Sequence, residues 1–280
     1  MTRRAGARSR IDTVFDRLRA ERRTGLVTFV SAGDPSLARS ADVLLALDEA
    51  GADVLEVGVP FSDPLADGPV IQRASERALA AGATLDAVLY MIAGVRGRVA
   101  APIVLFTYAN PVVRMGLEPF ARRAAAAGVD GVLALDLPIE EADALRTSLA
   151  ACGLDMIFLL SPTTSRERIE RAATLGRGFL YGISRLGVTG VRDRIADDAQ
   201  ALVARIRDVT TMPIALGFGI SRPDHVADVG RWADAAVVGS GLVQVIAEHG
   251  QSPDLPARVA GYVRWLKGAA ASPDERTQPR

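Results

Sequence analysis

The chain has 280 residues, 49% of them hydrophobic and 24% charged, so it can bury a sizeable core. Thirty-three basic side chains balance thirty-three acidic ones, which leaves no net field to draw in nucleic acid or an anionic membrane, and neither is expected as a partner. The single Cys152 excludes an internal disulfide framework and any multi-cysteine metal site; it reads as a small buried apolar side chain in a reducing compartment, and without a run of about 18 apolar residues the expected location is cytoplasmic.

In chain order, "SRIDTVFDRLRAERR" places Ile11, Val14, Phe15 and Leu18 at helical spacing and predicts an amphipathic helix ahead of the first strand. Runs rich in Val, Ile, Leu and Phe follow at 26–31, 53–58, 102–107, 130–135, 154–160, 178–183, 212–217 and 234–239, each trailed by helical periodicity. Buried strands alternating with helices imply parallel pairing and right-handed crossovers. Eight such units predict an α/β fold of the (β/α)8 TIM-barrel type, typically about 250 residues, its bottom covered by the extra N-terminal helix. A doubly wound open sheet competes, but no G-x-G-x-x-G follows the first strand, which runs into "SAGDPS". One barrel domain is expected over residues 1–268 and a disordered tail over 269–280.

In such a barrel the chemistry belongs at the C-terminal ends of the strands. There the run "LEVGVPFSDPLADGP", residues 55–69, gathers Glu56, Asp63 and Asp67. Glu56 reads either as a structural carboxylate or as an inward-pointing acid in the barrel mouth; Asp63 and Asp67 read either as turn or N-cap residues before the helix "PVIQRASERALAAG" or as site carboxylates. After the last two strands, "LGFGIS" and "VVGSGL" set glycines between strand and helix, where backbone N–H groups can approach an anion, and Ser240 opens a short helix. "YGISRLGVTG", with Gly187, Thr189 and Gly190, reads as a connector or as a lid.

The only lysine, Lys267, lies in the C-terminal helix, so no strand end supplies an imine-forming amine. His225 and His249 fall in late helical segments and read as helix-surface residues, and no metal site is expected. Proton transfer between carboxylates and a substrate that holds the charge itself is what remains.

Seven blocks, "FVSAGDP", "LEVGVPFSDPLADGP", "YANP", "LDLP", "SRLGVTG", "GFGIS" and "GSGLV", stand in the order of the tryptophan synthase alpha subunit, which the chain resembles from about residue 10 to residue 267. The resemblance implies a lyase of tryptophan biosynthesis that cleaves indole-3-glycerol phosphate to indole and glyceraldehyde 3-phosphate by a retro-aldol step. It implies Glu56 and Asp67 as catalytic, an indole pocket of Phe29, Phe106, Tyr108, Leu133 and Tyr181, phosphate donors at Gly190, Gly219, Gly239 and Ser240, and Thr189 as the lid residue that closes on Asp67. Phe106 is bulkier than the aliphatic residue the family pattern leads one to expect. The implied partner is a beta subunit in an α2β2 tetramer, carrying pyridoxal phosphate, with no cofactor in this chain. The related barrel that makes indole-3-glycerol phosphate uses a lysine that this chain cannot supply.

Overall fold

In the computed structural model the chain is described over residues 8–183, 192–217 and 219–268, the side chains of 192–197 aside; the expectations for the tail and for Thr189 and Gly190 fall outside the described residues. Its strands are β1 (Gly25–Ser31), β2 (Val54–Gly58), β3 (Ile103–Thr107), β4 (Gly131–Ala134), β5 (Asp155–Met156), β6 (Phe158–Leu160), β7 (Leu180–Ile183), β8 (Ile214–Gly217) and β9 (Ala235–Val238). They pair in parallel in the order β5-β4-β3-β2-β1-β9-β8-β7-β6. The two ends of that order are consecutive pieces of one segment. The expected fifth strand, 154–160, is therefore broken in two at Ile157: β5 pairs with β4 and β6 with β7, which brings the sheet round into a barrel of nine strands rather than eight.

Alternation along the strands sorts the side chains. Val27, Val54, Val104, Leu133, Tyr181, Ala215 and Val237 form the barrel interior, while Leu26, Leu55, Ile103, Val132 and Leu216 face the helical layer. Both faces are apolar because helices cover the outside and side chains fill the inside.

The expected N-terminal helix runs over Arg10–Glu21, started by a capping box in which Ser9 and Asp12 exchange side-chain and backbone bonds of 2.9 and 2.8 Å. Its stripe of Ile11, Phe15 and Leu18 is buried, with Val14 half-buried beside it, against Val27, Val54, Ile157 and Phe179, so it closes the interior. Phe15 and Phe179 meet at 5.5 Å between ring centres. At this same end Asp53, just ahead of β2, accepts 2.8 Å bonds from two Arg23 nitrogens and one of 3.0 Å from the Leu26 N–H. Lys267 reaches Asp53 at 3.8 Å and bonds the Gly51 carbonyl. The one lysine of the chain is thus committed to the entry end of β2, below Glu56. Cys152, expected to be buried, is half-buried at the edge of the outer core. No single helix among the described residues is long and apolar enough to cross a membrane.

Candidate active site

Glu56 sits mid-way along β2 with the parity of Val54, so its side chain enters the barrel interior, in register with Phe29 on one side and Val104 on the other. It is fully buried, and neither carboxylate oxygen has a hydrogen-bond partner among the described residues. Burial strips a charge there of its solvation, which pushes the carboxyl up from 4.5 to about 8. The buried Asp53 carboxylate, by contrast, is bonded to Arg23 and to the Leu26 N–H.

Asp67 reaches the same space from the loop between β2 and the helix Pro69–Ala80. It does not cap that helix: the N-cap is Gly68, with no side-chain cap bond. Its carboxylate accepts a 2.9 Å bond from the Tyr108 hydroxyl, which in turn accepts the Ala66 N–H at 3.3 Å. Burial raises the Asp67 carboxyl and the Tyr108 bond opposes that rise. Tyr181 faces both acids: burial first, then the charges of Glu56 and Asp67, drive its hydroxyl well above its ordinary value. Asp63 is exposed and accepts a 2.6 Å bond from the Ser62 hydroxyl; it does not cap the following helix, whose N-cap is Gly68.

The expected indole-pocket residues gather at the same mouth. Phe29 and Phe106 meet edge to face at 5.3 Å, and both pack with Ala74 of the helix after β2 and Val243 of the helix Ser240–His249. Leu133 and Tyr181 belong to the interior cluster, which Phe106 also touches. Gly217 makes room for Tyr181: a Cβ there would lie 2.6 Å from its hydroxyl oxygen. Tyr108 stacks on Phe61 at 4.8 Å and is tied to Asp67, so it orients a carboxylate as well as lining a wall.

Two members of this arrangement escape sequence reasoning. Phe61 carries no polar signal. Gln72 lies one turn into its helix, and its carboxamide donates to the Pro64 and Asp67 carbonyls at 3.2 and 2.8 Å, stapling the loop that carries Asp67. A glutamine four residues past the N-cap Gly68 was the available signal.

The phosphate candidates lie on neighbouring strands. Gly217 of β8 pairs with Val237 of β9, so Gly219 and Gly239 follow the paired positions by the same two residues. Gly219 takes φ +49°, a conformation that favours glycine, and Gly239 is the N-cap of Ser240–His249, with no side chain bonded to the free N–H groups of the first turn. Among the described residues no group of three or more His, Cys, Asp or Glu side chains is arranged to hold a metal ion.

Residues 15–264 match the family model described as tryptophan synthase alpha chain. The chain belongs to that family. A tryptophan synthase alpha chain from Citrifermentans bemidjiense is 48% identical over 259 residues, spanning 92% of this chain and 97% of the relative. The crystal structure of tryptophan synthase subunit alpha from Legionella pneumophila is similar with a TM-score of 0.87 at 37% identity, covering 94% of this chain and 98% of that one. A structure concerned with mutual activation of the tryptophan synthase α2β2 complex of Pyrococcus furiosus has a TM-score of 0.82 at 37% identity, covering 87% and 98%. As a member of the tryptophan synthase alpha family the chain is a carbon–carbon lyase of tryptophan biosynthesis, and its reaction is the cleavage of indole-3-glycerol phosphate to indole and glyceraldehyde 3-phosphate.

Proposed function

We propose that Glu56 is the acid and base of this cleavage and Asp67 its electrostatic partner. The observation that carries the reading is the Glu56 carboxyl, buried in an apolar barrel with no bond partner among the described residues and protonated up to about pH 8. Protonation of indole C3 by Glu56 makes an indolenine cation, which accepts the electrons of the breaking carbon–carbon bond and so replaces an imine. The resulting carboxylate then takes the proton of the side-chain hydroxyl, and Glu56 is restored as the indole ring regains its aromaticity. Asp67, anionic and oriented by Tyr108, stabilises the positive charge that develops at the indole nitrogen.

Phe29, Phe106, Leu133 and Tyr181 form the walls for the ring, with Tyr108 on the side of Asp67. The substrate phosphate is held by backbone N–H groups at Gly219, Gly239 and Ser240 and by the dipole of the helix Ser240–His249. Gly190 and Thr189 complete the phosphate site and the lid in the same reading. The physiological partner is a tryptophan synthase beta subunit, joined in an α2β2 tetramer in the cytoplasm; it carries the pyridoxal phosphate and consumes the indole, while this chain works without a cofactor.

The test is Glu56→Gln, which keeps the shape and removes the proton. Indole release should fall by about 10²- to 10⁴-fold, the usual contribution of a general acid–base group, with the far-ultraviolet spectrum unchanged. A variant keeping about half the wild-type rate would remove Glu56 from the chemistry. The alternative, a subunit that only regulates a partner, is separated by assaying the chain alone: it would release no indole at all.

A further inference from the structure

Tyr262 lies on the C-terminal helix Leu255–Leu266, yet its hydroxyl donates a 3.0 Å bond to the Ser221 carbonyl. Ser221 stands two residues beyond Gly219 in the turn after β8, and its N–H is taken by His225 Nδ1 at 3.4 Å, so both of its backbone groups are fixed. The same hydroxyl presses on Gly241, the second residue of the helix Ser240–His249: a Cβ there would run into the hydroxyl oxygen and would come within 3.4 Å of Tyr262 Cζ and of Ser221 Cβ. One phenol therefore fills the corner between the two turns that follow the paired strands β8 and β9. It is held there by burial, at 7% exposure, and by the Trp265 ring at 5.7 Å. Burial pushes its hydroxyl up to about 12, so it keeps its proton and remains a donor at neutral pH.

We propose that Tyr262 is a positioning residue for phosphate binding, setting the backbone N–H groups of the Gly219 turn at a fixed span from those at the start of the helix Ser240–His249. The inference rests on the reading that these two turns hold the substrate phosphate. Tyr262 touches no substrate atom in this role; it acts through Ser221 and Gly241. A bound phosphate spans both turns, so its affinity depends on their separation. Ring binding at Glu56 and Asp67 does not.

The variant Tyr262→Phe removes the hydroxyl and keeps the ring. In the full chain it should raise the KM for indole-3-glycerol phosphate and the dissociation constant for inorganic phosphate by about threefold to tenfold, the usual worth of one hydrogen bond. The kcat and the affinity for indole, which has no phosphate, should change by less than about twofold. Unchanged phosphate affinity would overturn the inference, and so would a parallel loss of phosphate affinity, indole affinity and kcat, which marks a packing role alone. Gly241→Ala supplies a second arm: its clash is with the hydroxyl, so it should weaken phosphate binding in the wild type but add nothing in the Tyr262→Phe background. Additive losses would refute the contact. Gly239→Val separates the two readings. If it leaves phosphate affinity intact, the phosphate site itself is elsewhere and the inference falls with it; if it abolishes phosphate binding while Tyr262→Phe has no effect, only the role of Tyr262 is lost.

Discussion

Two carboxyl groups share one barrel mouth, and their surroundings separate their roles. Glu56 has apolar walls and no donor among the described residues, while Asp67 has a phenol donating to it and a half-exposed position. Burial raises both, but the Tyr108 bond works against the rise at Asp67 alone, so Glu56 is the group that carries a proton at neutral pH. This has a consequence for rate: kcat/KM should hold below about pH 8 and fall about tenfold per pH unit above it, as the free enzyme loses the Glu56 proton. A profile flat to about pH 10 would exclude a group of this kind as the acid. It has a second consequence for stability. The folded carboxyl holds its proton more tightly than the unfolded one, so the folded state binds more protons between about 4.5 and about 8, and native stability falls as pH rises through that window. Glu56→Gln has no such proton to lose. Denaturation midpoints measured at about pH 5 and about pH 9 should drop in the wild type by more than in the variant; equal drops would mean that Glu56 is solvated in the folded protein.

At the scale of elements, the loop between β2 and the helix Pro69–Ala80 is stiffened from three sides. Pro60, Pro64 and Pro69 restrict its backbone, Gln72 bonds two of its carbonyls, and Phe61 stacks on Tyr108. The helix is tied in turn to the loop after β1, where Arg77 grips the buried Asp34 carboxylate with bonds of 2.9 and 2.7 Å. Gln72→Leu should therefore lower kcat by about fivefold to 100-fold, the worth of two hydrogen bonds, because Asp67 is no longer aimed, with a smaller change in KM. An unchanged kcat would show that the prolines alone suffice. Much of this was legible in the chain. The strands were readable because both of their faces are apolar, and Glu56 stood out as a charge inside such a run. The break at Ile157 was not, since "LDMIFLL" is uniformly apolar apart from Asp155 and only the switch of partner from β4 to β7 divides it. Composition and spacing alone did not separate Asp63 from Asp67; the family resemblance chose Asp67, and the fold leaves one in solvent on Ser62 and turns the other toward Tyr108. Tyr262 and Ser221 are 41 residues apart, and nothing local in either segment announces the contact.

At the scale of the whole molecule, the two ends of the barrel are built differently. The N-terminal helix seals the bottom with side chains that are each worth about 1.5 to 3 kcal/mol of burial, and Phe15→Ala should cost about 3 to 5 kcal/mol of stability while leaving the turnover of folded enzyme unchanged. Denaturant unfolding paired with an indole-release assay checks both halves of that statement. The catalytic end is different: Leu65, 91% exposed in the loop after β2, and Val113, 64% exposed on the helix Ala109–Met115 after β3, present large apolar side chains to solvent beside the site. On the proposed pairing with a beta subunit, these two side chains offer apolar area for the partner to cover. A beta subunit that docks there and binds the ordered form of the Asp67 loop more tightly than the open form raises turnover by that difference in affinity and no more. Activation of about 10- to 100-fold requires about 1.4 to 2.7 kcal/mol, within the span of ordinary coupling energies. Titrating a beta subunit into the chain while following glyceraldehyde 3-phosphate should raise the rate to a plateau in this range. Val113→Asp should keep the unpartnered rate and shift the titration to higher partner concentration. A rate that does not rise at saturating partner would make this chain a stand-alone lyase, and a Val113→Asp titration that overlays the wild type would move the docking surface away from β3.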